Sequence, residues 1–353
     1  MSKKLILAPL IDSAIKHEAS DVFFSEGVVA RLKINGALHE VGESPVGRDA
    51  VEELWAACGQ DPEQVMDADS AYVTPDGTRF RVNFFRHTGR LGAVLRQIKS
   101  QIPNMEALEL PQGLLTTWMQ APSGLVLVTG PSGCGKSTTL ASCLEWINHN
   151  LGVHVVTIED PIEYLFEDQR SLFSQREVYH DTPSFAEGLR RSLRQAPDVI
   201  FLGEIRDPDS AKIALQAAET GHLVLSTLHS SGVVDTLDRL LNLFPHDERK
   251  SLLMLLSAQL IGVFSQMLLP KPDASGLRVV VEHLNNEGAT RLWIREGRVE
   301  EVHDFLGKAD DEWNRSFMTS LVDAARSNEI DTDAARRAAS NSTEFDRALR
   351  GIS

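Results

Sequence analysis

A glycine-rich segment at residues 130–137, with the sequence GPSGCGKS, constrains this chain more than any other feature. It matches the pattern G-x-x-x-x-G-K-[ST], it follows an apolar run at residues 125–129, and a helix-forming stretch begins at Ser137. Glycines allow the backbone N–H groups of such a turn to surround phosphate oxygens, and the following helix N-terminus adds a partial positive charge. The segment therefore predicts a phosphate-binding loop between a buried strand and a helix.

The residue types within this loop predict how it holds a nucleotide. We expect Lys136 at the β- and γ-phosphates and Ser137 at a Mg²⁺ ion. The other predicted nucleotide contacts are Gly130, Ser132, Gly133, Cys134, Gly135 and Thr138. The chain contains no Asn-Lys-x-Asp sequence of the kind that reads guanine, so ATP is predicted rather than GTP.

The chain from residue 113 onward alternates between short apolar runs and helical stretches. The apolar runs, at residues 125–129, 153–158, 199–202 and 223–227, predict strands that are covered on both faces. Such alternation predicts an α/β fold with a mostly parallel sheet and helices on both sides. Residues 246–264 are expected to form one long helix, and residues 299–353 a small helical subdomain.

Residues 1–100 predict a smaller α+β domain, joined by a linker at residues 101–112 to a nucleotide-binding core at residues 113–298. A helix is expected at residues 5–18, and hairpins are expected at Asn35-Gly36 and Asp76-Gly77. In the strand that follows Gly77, apolar side chains alternate with polar ones, so one face joins the core and the other carries Arg79 and Arg81. A further strand at residues 93–98 carries Arg96.

Composition limits the classes of partner. The chain has 353 residues, with Lys+Arg 35 against Asp+Glu 50, and its net charge of -15 disfavours bulk attraction to nucleic acid or an anionic membrane. No apolar run reaches the ~20 residues of a membrane-spanning helix, so a cytoplasmic protein is expected. The three cysteines form no Cys-x-x-Cys pair, which disfavours a disulfide framework or a structural zinc site.

Acidic residues follow two of the predicted strands, and a histidine follows a third. Glu204 comes after residues 199–202, where a parallel sheet delivers carboxylates to a Mg²⁺-nucleotide. Glu159, Asp160 and Glu163 follow residues 153–158, and their spacing leaves open which of them contacts the attacking water. His229 lies at the carboxyl end of residues 223–227, whereas His222 lies at the opposite end.

These segments together resemble the secretion-motor ATPases of type IV pili and type II secretion, and most closely the pilus retraction (PilT-like) ATPases. The resemblance runs over about residues 5–300. It rests on residues 157–164, 197–207 and 217–229, which resemble the family's Asp box, Walker B motif and His box, besides the phosphate loop. Three further segments also resemble sequences of this family, at residues 79–83, 175–178 and 266–271.

The resemblance implies a hexameric ring whose subunits each contain an N-terminal PAS-like domain and a C-terminal RecA-like ATPase domain. It implies that Glu204 and Glu163 handle Mg²⁺ and the attacking water, and that His229 senses the γ-phosphate. It also implies that Arg81 and Arg96 act as arginine fingers, with Arg79 a weaker candidate. The function implied is ATP-driven pilus retraction and twitching motility, exerted through an inner-membrane platform protein.

One departure from the family pattern concerns the helix that the family associates with retraction. The family's Ala-Ile-Arg-Asn-Leu is represented here by the sequence ATRLW at residues 289–293. An accessory or paralogous motor that works beside a second motor ATPase is therefore an alternative. A nucleic-acid-translocating RecA-like motor is another, which the net charge disfavours. The absence of a four-cysteine zinc module and the chain length both favour the retraction branch.

Overall fold

The computed structural model describes residues 5–34, 37–98, 101–273, 275–309 and 311–351. The chain divides into two compact units. The first comprises Met1–Ser100 and Glu163–Leu165, and the second comprises Gln101–Ile162 and Phe166–Ser353. Each unit has its own sheet and its own hydrophobic core.

The first unit is an antiparallel sheet with strand order β3-β2-β1-β6-β5-β4 and two helices in its described part. In chain order its elements are α1 (Ala8–Lys16), β1 (Asp21–Ser25), β2 (Ala30–Ile34), β3 (Ala37–Val41), α2 (Arg48–Ala57), β4 (Asp67–Val73), β5 (Arg79–His87) and β6 (Arg90–Gln97).

The alternation predicted for β5 is confirmed. Phe80, Val82 and Phe84 are fully buried, and the Trp55 ring of α2 lies 4.8 Å from the Phe84 ring. The β4–β5 hairpin turns at Asp76-Gly77, where Gly77 has a φ of 92° that a side chain would strain. The second predicted turn, at Asn35-Gly36, lies outside the described residues, although β2 and β3 pair antiparallel on either side of it.

The second unit is a mostly parallel sheet with strand order β13-β12-β7-β11-β10-β8-β9, in which the β12–β13 pair is antiparallel. In chain order its elements are α3 (Gln112–Met119), β7 (Gly124–Thr129), α4 (Lys136–Asn150), β8 (His154–Glu159), β9 (Leu172–Glu177), α5 (Phe185–Ser192), β10 (Val199–Leu202), α6 (Pro208–Glu219), β11 (Leu223–Leu228), α7 (Val233–Asn242), α8 (Arg249–Gln259), β12 (Leu260–Pro270), β13 (Leu277–Asn285), α9 (Ala289–Glu296), α10 (Val299–Leu306), α11 (Phe317–Arg326), α12 (Thr332–Ala338) and α13 (Ser342–Leu349).

The strands predicted from apolar runs form the centre of this sheet. In β7, Leu125 and Leu127 join a core that includes α5, α6, α7 and α8, while Val126 and Val128 join a core that includes α3 and α4. Because both faces of β7 are covered, its carboxyl end is held rigidly where the phosphate loop begins.

The single long helix predicted for residues 246–264 is wrong. Helix α8 ends at Gln259, and the chain continues as β12, which pairs with β7 on one side and β13 on the other. Val263 and Phe264 enter the two different cores, as consecutive residues of a strand should. A continuous apolar run does not distinguish these alternatives, so the pairing partners decide the outcome. Strands β9 and β13 were likewise not predicted.

In the described part of the chain, no helix has the length and apolar character needed to cross a bilayer.

Candidate nucleotide and catalytic site

The loop between β7 and α4 has the backbone geometry that its glycines allow. Gly133 and Gly135 have φ values of 78° and 89°, in the left-handed region that other residues adopt only with strain. Gly130 is confined as well, because a Cβ atom there would lie 2.3 Å from the backbone oxygen of Gln266. Gly135 is the N-cap residue of α4, so the loop leads directly into the helix N-terminus. This arrangement suits a phosphate ligand.

Lys136 is 8% exposed and lies across the loop. Its ammonium group donates hydrogen bonds to the carbonyls of Gly130, at 2.9 Å, and Pro131, at 3.0 Å. The same Nζ atom lies 3.3 Å from Nδ1 of His229. The predicted phosphate-binding lysine and the predicted γ-phosphate sensor are therefore direct neighbours.

His229 joins the phosphate loop to the carboxylate that follows β10. Its Nε2 atom lies 3.4 Å from Oε2 of Glu204, and its backbone oxygen accepts a 2.6 Å hydrogen bond from Arg239. Because an ammonium group can only donate, Nδ1 accepts from Lys136 and Nε2 carries the proton that faces Glu204. The imidazole thus has a defined tautomer and a defined orientation.

Burial and nearby cations favour the neutral form of His229. Partial burial lowers its pKa below the ordinary value of 6.5, and the positive charges of Lys136, Arg239 and Arg206 lower it further. A neutral imidazole retains the lone pair that accepts from Lys136.

Arg206 brings together acidic groups that follow two different strands. Its Nε atom donates to Glu204, and its NH1 atom lies 3.6 Å from Asp160, which follows β8. The guanidinium also lies 5.8 Å from the ring centre of Phe185. Asp160 after β8 and Glu204 after β10 therefore lie close together at Arg206. Neighbouring parallel strands are expected to bring their carboxyl ends together in this way.

The other members of the acidic cluster have separate environments. Glu159 is buried at the end of β8 and accepts a 2.6 Å hydrogen bond from Thr157. Glu163 is exposed and belongs to the first compact unit, so its place at the attacking water stays a prediction. His222 has a structural contact, since its Nδ1 atom lies 2.9 Å from the carbonyl oxygen of Ala217.

The donor set fits a magnesium ion that is bound mainly through its nucleotide. Ser137 offers a half-buried hydroxyl at the start of α4, and Glu204 offers a carboxylate in the same region. Among the described residues there is no group of three or more His, Cys, Asp or Glu side chains arranged to hold a metal ion. Mg²⁺ commonly takes one or two protein oxygens and completes its coordination with phosphates and water.

The predicted arginine fingers lie side by side on the sheet of the first unit. Arg81 of β5 and Arg96 of β6 are paired in the strand register, so their side chains share one face. Arg96 is 68% exposed and bonds Asp21 at 2.8 Å, and Arg81 lies 3.4 Å from Asp69. Their action on a nucleotide remains a prediction. Arg79 differs from both, because its Nε atom is buried without a hydrogen-bond partner.

Three polar residues of the site were not assigned a role from the sequence. Arg206 and Arg239 surround His229 electrostatically, and Gln266 contacts the phosphate loop from β12. Arg206 and Gln266 lie within segments that the family resemblance singled out, which was the available signal. Arg239 had none, because its contact with His229 depends on how α7 follows β11.

A parallel sheet with a glycine loop after β7, a lysine across that loop and a strand-end carboxylate defines a RecA-like P-loop nucleotide hydrolase. Residues 1–309 match the family described as Type II/IV secretion system protein. The chain belongs to this family, so the family and fold class predicted from the sequence are confirmed.

Within this family, the chain is similar to individual proteins of type IV pilus retraction and twitching motility. The chain is 41% identical over 317 residues to the twitching motility protein of Neisseria gonorrhoeae, covering 88% of this chain and 84% of that protein. It is 38% identical over 306 residues to the type IV pilus retractation ATPase PilT of Pseudomonas aeruginosa, covering 85% and 88%. A crystal structure of the pilus retraction motor PilT with bound ADP superimposes with a TM-score of 0.90 at 35% identity, covering 98% of this chain and all of that one (100%).

Proposed function

We propose that this ATPase powers the retraction of type IV pili, and thereby twitching motility, by driving pilin disassembly. The single observation that carries the catalytic part is the continuous contact from Lys136 through His229 to Glu204. That contact brings an ammonium group, an imidazole and a carboxylate together at the carboxyl edge of the sheet, which supports the proposed catalytic roles. The similarity to retraction motors over most of the chain supports the pilus as the object of the work.

The proposed roles follow from the chemistry of each side chain. Lys136 and the N–H groups of the loop bind the β- and γ-phosphates, while Ser137 and Glu204 hold Mg²⁺, which neutralises the developing phosphate charge. Glu163 orients the attacking water, and His229 responds to the γ-phosphate through its neighbours. Arg81 and Arg96 supply guanidinium groups from the N-terminal domain.

The proposed assembly is a homohexamer at the cytoplasmic face of the inner membrane, acting through a platform protein. The proposed domains are residues 1–100, the linker 101–112, the ATPase core 113–298 and the helical subdomain 299–353. The charge of -15 supports a protein partner rather than nucleic acid.

Glu204→Gln tests the catalytic assignment. This substitution keeps the size of the side chain but removes the negative charge, so phosphate release should fall by about 10²-fold or more while ADP binding persists. Release is measured on purified protein with ATP and Mg²⁺. Asp198→Asn is a matched control, because the Asp198 carboxylate contacts the backbone N–H of His154 away from the loop. Equal background-level release from the wild type and Glu204→Gln would contradict the proposal.

Deletion of the gene in its source organism tests the pilus assignment. A lost retraction motor should leave excess surface pili and abolish twitching, and absent pili would instead indicate an assembly motor.

The altered helix α9 favours one second candidate, an accessory motor that assists another ATPase. Its sequence ATRLW departs from the family's retraction helix, and the chain is also 35% identical to the type IV pilus ATPase PilU of Pseudomonas aeruginosa. An accessory motor predicts that deletion reduces retraction under load but leaves some twitching.

A further inference from the structure

Gln266 is a buried polar residue on the strand beside the phosphate loop. Strand β12 runs parallel to β7 with Ser265 opposite Thr129, so the next residue, Gln266, lies beside the start of the loop. The Gln266 residue is only 1% exposed. A buried amide of this kind needs partners for both its donor and its acceptor atoms.

The amide of Gln266 has both partners, and both lie on the phosphate loop or the helix that follows it. Its Nε2 atom donates a 2.6 Å hydrogen bond to the backbone oxygen of Cys134, and its Oε1 atom accepts a 2.8 Å bond from the Thr139 hydroxyl. If the side-chain amide of Gln266 were rotated by half a turn, its Oε1 atom would face the backbone oxygen of Cys134, and two acceptors cannot form a hydrogen bond. The Cys134 carbonyl therefore determines which way the amide is oriented.

This contact fixes the direction of one peptide group in the loop. The Cys134–Gly135 peptide is trans, so its C=O and N–H groups point in opposite directions. Since the Cys134 carbonyl points at Gln266, the Gly135 N–H points away from β12. Gly135 has a left-handed φ of 89° and no side chain of its own.

We propose that Gln266 is a positioning residue that aims the Gly135 N–H at the β-phosphate of the bound nucleotide. The inference rests on the nucleotide site proposed above. It adds that Gln266 contributes to the preference for nucleotides that carry a β-phosphate. Gln266 touches no reacting atom, and it acts through the peptide it holds. A loop donor held in place by such a bond loses less conformational freedom when a phosphate binds.

Gln266→Met tests the proposal, because methionine has a similar length but neither donates nor accepts as an amide does. Dissociation constants for ADP and AMP are measured by competition against a fluorescent adenine nucleotide. We expect ADP to bind at least about tenfold more weakly and AMP, which lacks the β-phosphate, to change by less than about twofold. A purely structural role would weaken both nucleotides equally.

Thr139→Val provides a second variant that removes only the bond to Oε1. ADP binding should weaken by about threefold, and the double variant should bind no more weakly than Gln266→Met alone, because both act through one amide. Ser320→Ala is the matched control, since it removes a hydroxyl bond to the Val281 backbone oxygen on β13. It should leave both dissociation constants within about twofold of the wild type.

The outcomes separate this inference from the proposed function. ADP binding within twofold of the wild type in Gln266→Met, or equal loss of ADP and AMP, would overturn the positioning role. If Gln266→Met does not fold, unchanged ADP binding by Thr139→Val overturns it. ADP binding requires no turnover, so wild-type protein that binds ADP without releasing phosphate from ATP would contradict the hydrolysis and leave this result valid.

Discussion

The His229 side chain connects the phosphate-binding loop to the carboxylate of Glu204. Its Nδ1 atom faces the lysine of the phosphate loop, and its Nε2 atom faces Glu204. A displacement of the Lys136 ammonium toward a phosphate would change the partner of Nδ1 and so the orientation of the imidazole. Under the role proposed for His229, this change would be how Glu204 responds to the γ-phosphate.

The lowered pKa of His229 predicts how protein stability and ATP turnover change at acidic pH. The pKa of His229 in the folded protein is lowered below the 6.5 of the unfolded chain, first by burial and then by nearby cations. Below pH 6.5 the unfolded state takes up the proton first, so the contribution of His229 to stability is present above that pH and is lost as the pH falls. Protonation in the folded site also removes the acceptor for Lys136, so ATP turnover should decline only below pH 6.5.

Two measurements check this prediction. NMR titration of the His229 ring should give a pKa below 6.5, and the acidic limb of the turnover profile should be altered in His229→Gln. A ring that titrates above 6.5 would contradict the described electrostatics.

Arg206 illustrates what the residue pattern alone left open. The spacing of Glu159, Asp160 and Glu163 did not decide which carboxylate belongs to the site. The structure places Asp160 at Arg206 and buries Glu159 against Thr157, while Glu163 belongs to the first unit. Strand ends could be predicted from hydrophobicity, but the direction of each side chain after a strand depends on the turn that follows.

At the scale of elements, β12 supports the site, because it pairs with β7 and its Gln266 bonds the phosphate loop. Its residue Gly262 lies where no side chain fits. A Cβ atom there would lie 2.2 Å from the Trp118 ring and 2.6 Å from the backbone oxygen of Leu284. The neighbouring strand β13 cannot yield without breaking its pairing with β12.

Gly262→Ala should therefore lower the free energy of unfolding by about 1–3 kcal/mol, as overpacking of a full core does. Thermal and urea unfolding of the whole chain measure the loss. Gly152→Ala is the control, because a Cβ atom at Gly152 would be 3.8 Å from its nearest neighbour, the Arg170 backbone oxygen. This control should change stability by less than about 0.5 kcal/mol. Equal stability of the two variants would show that β12 tolerates a wider spacing.

At the scale of the whole molecule, the paired arginines on the first unit have a proposed role that depends on the proposed assembly. Arg81 and Arg96 stand opposite each other on β5 and β6, half-buried and exposed respectively, with an aspartate beside each. The Arg81–Asp69 pair is solvent-exposed, and such pairs contribute only about 0–1 kcal/mol, so Arg81 can leave Asp69 for a phosphate at little cost. Arg96 differs, because its partner Asp21 is buried.

Arg81→Ala should reduce the turnover number by about 10³-fold or more, while ADP affinity stays within twofold, if Arg81 acts as a finger. Phosphate release and ADP binding are measured on the same assembled protein. Arg31→Ala serves as the control, because Arg31 pairs with Glu40 at 3.2 Å on β2 and β3 of the same sheet. Undiminished turnover in Arg81→Ala would remove the finger role and leave the hydrolytic site intact.

The sequence by itself determined the phosphate loop, the central strands and the family, because these depend on local rules: glycines where φ is positive, apolar runs where both faces are covered, and a lysine at fixed spacing. Only the tertiary structure decided that residues 260–270 form a strand, that Gln266 bonds the loop and that Arg206 joins Glu204 to Asp160. The physical reason is that each of these depends on a partner distant along the chain. Hydrophobicity specifies that a segment is buried, whereas the neighbouring strand and helix specify the conformation in which it is buried.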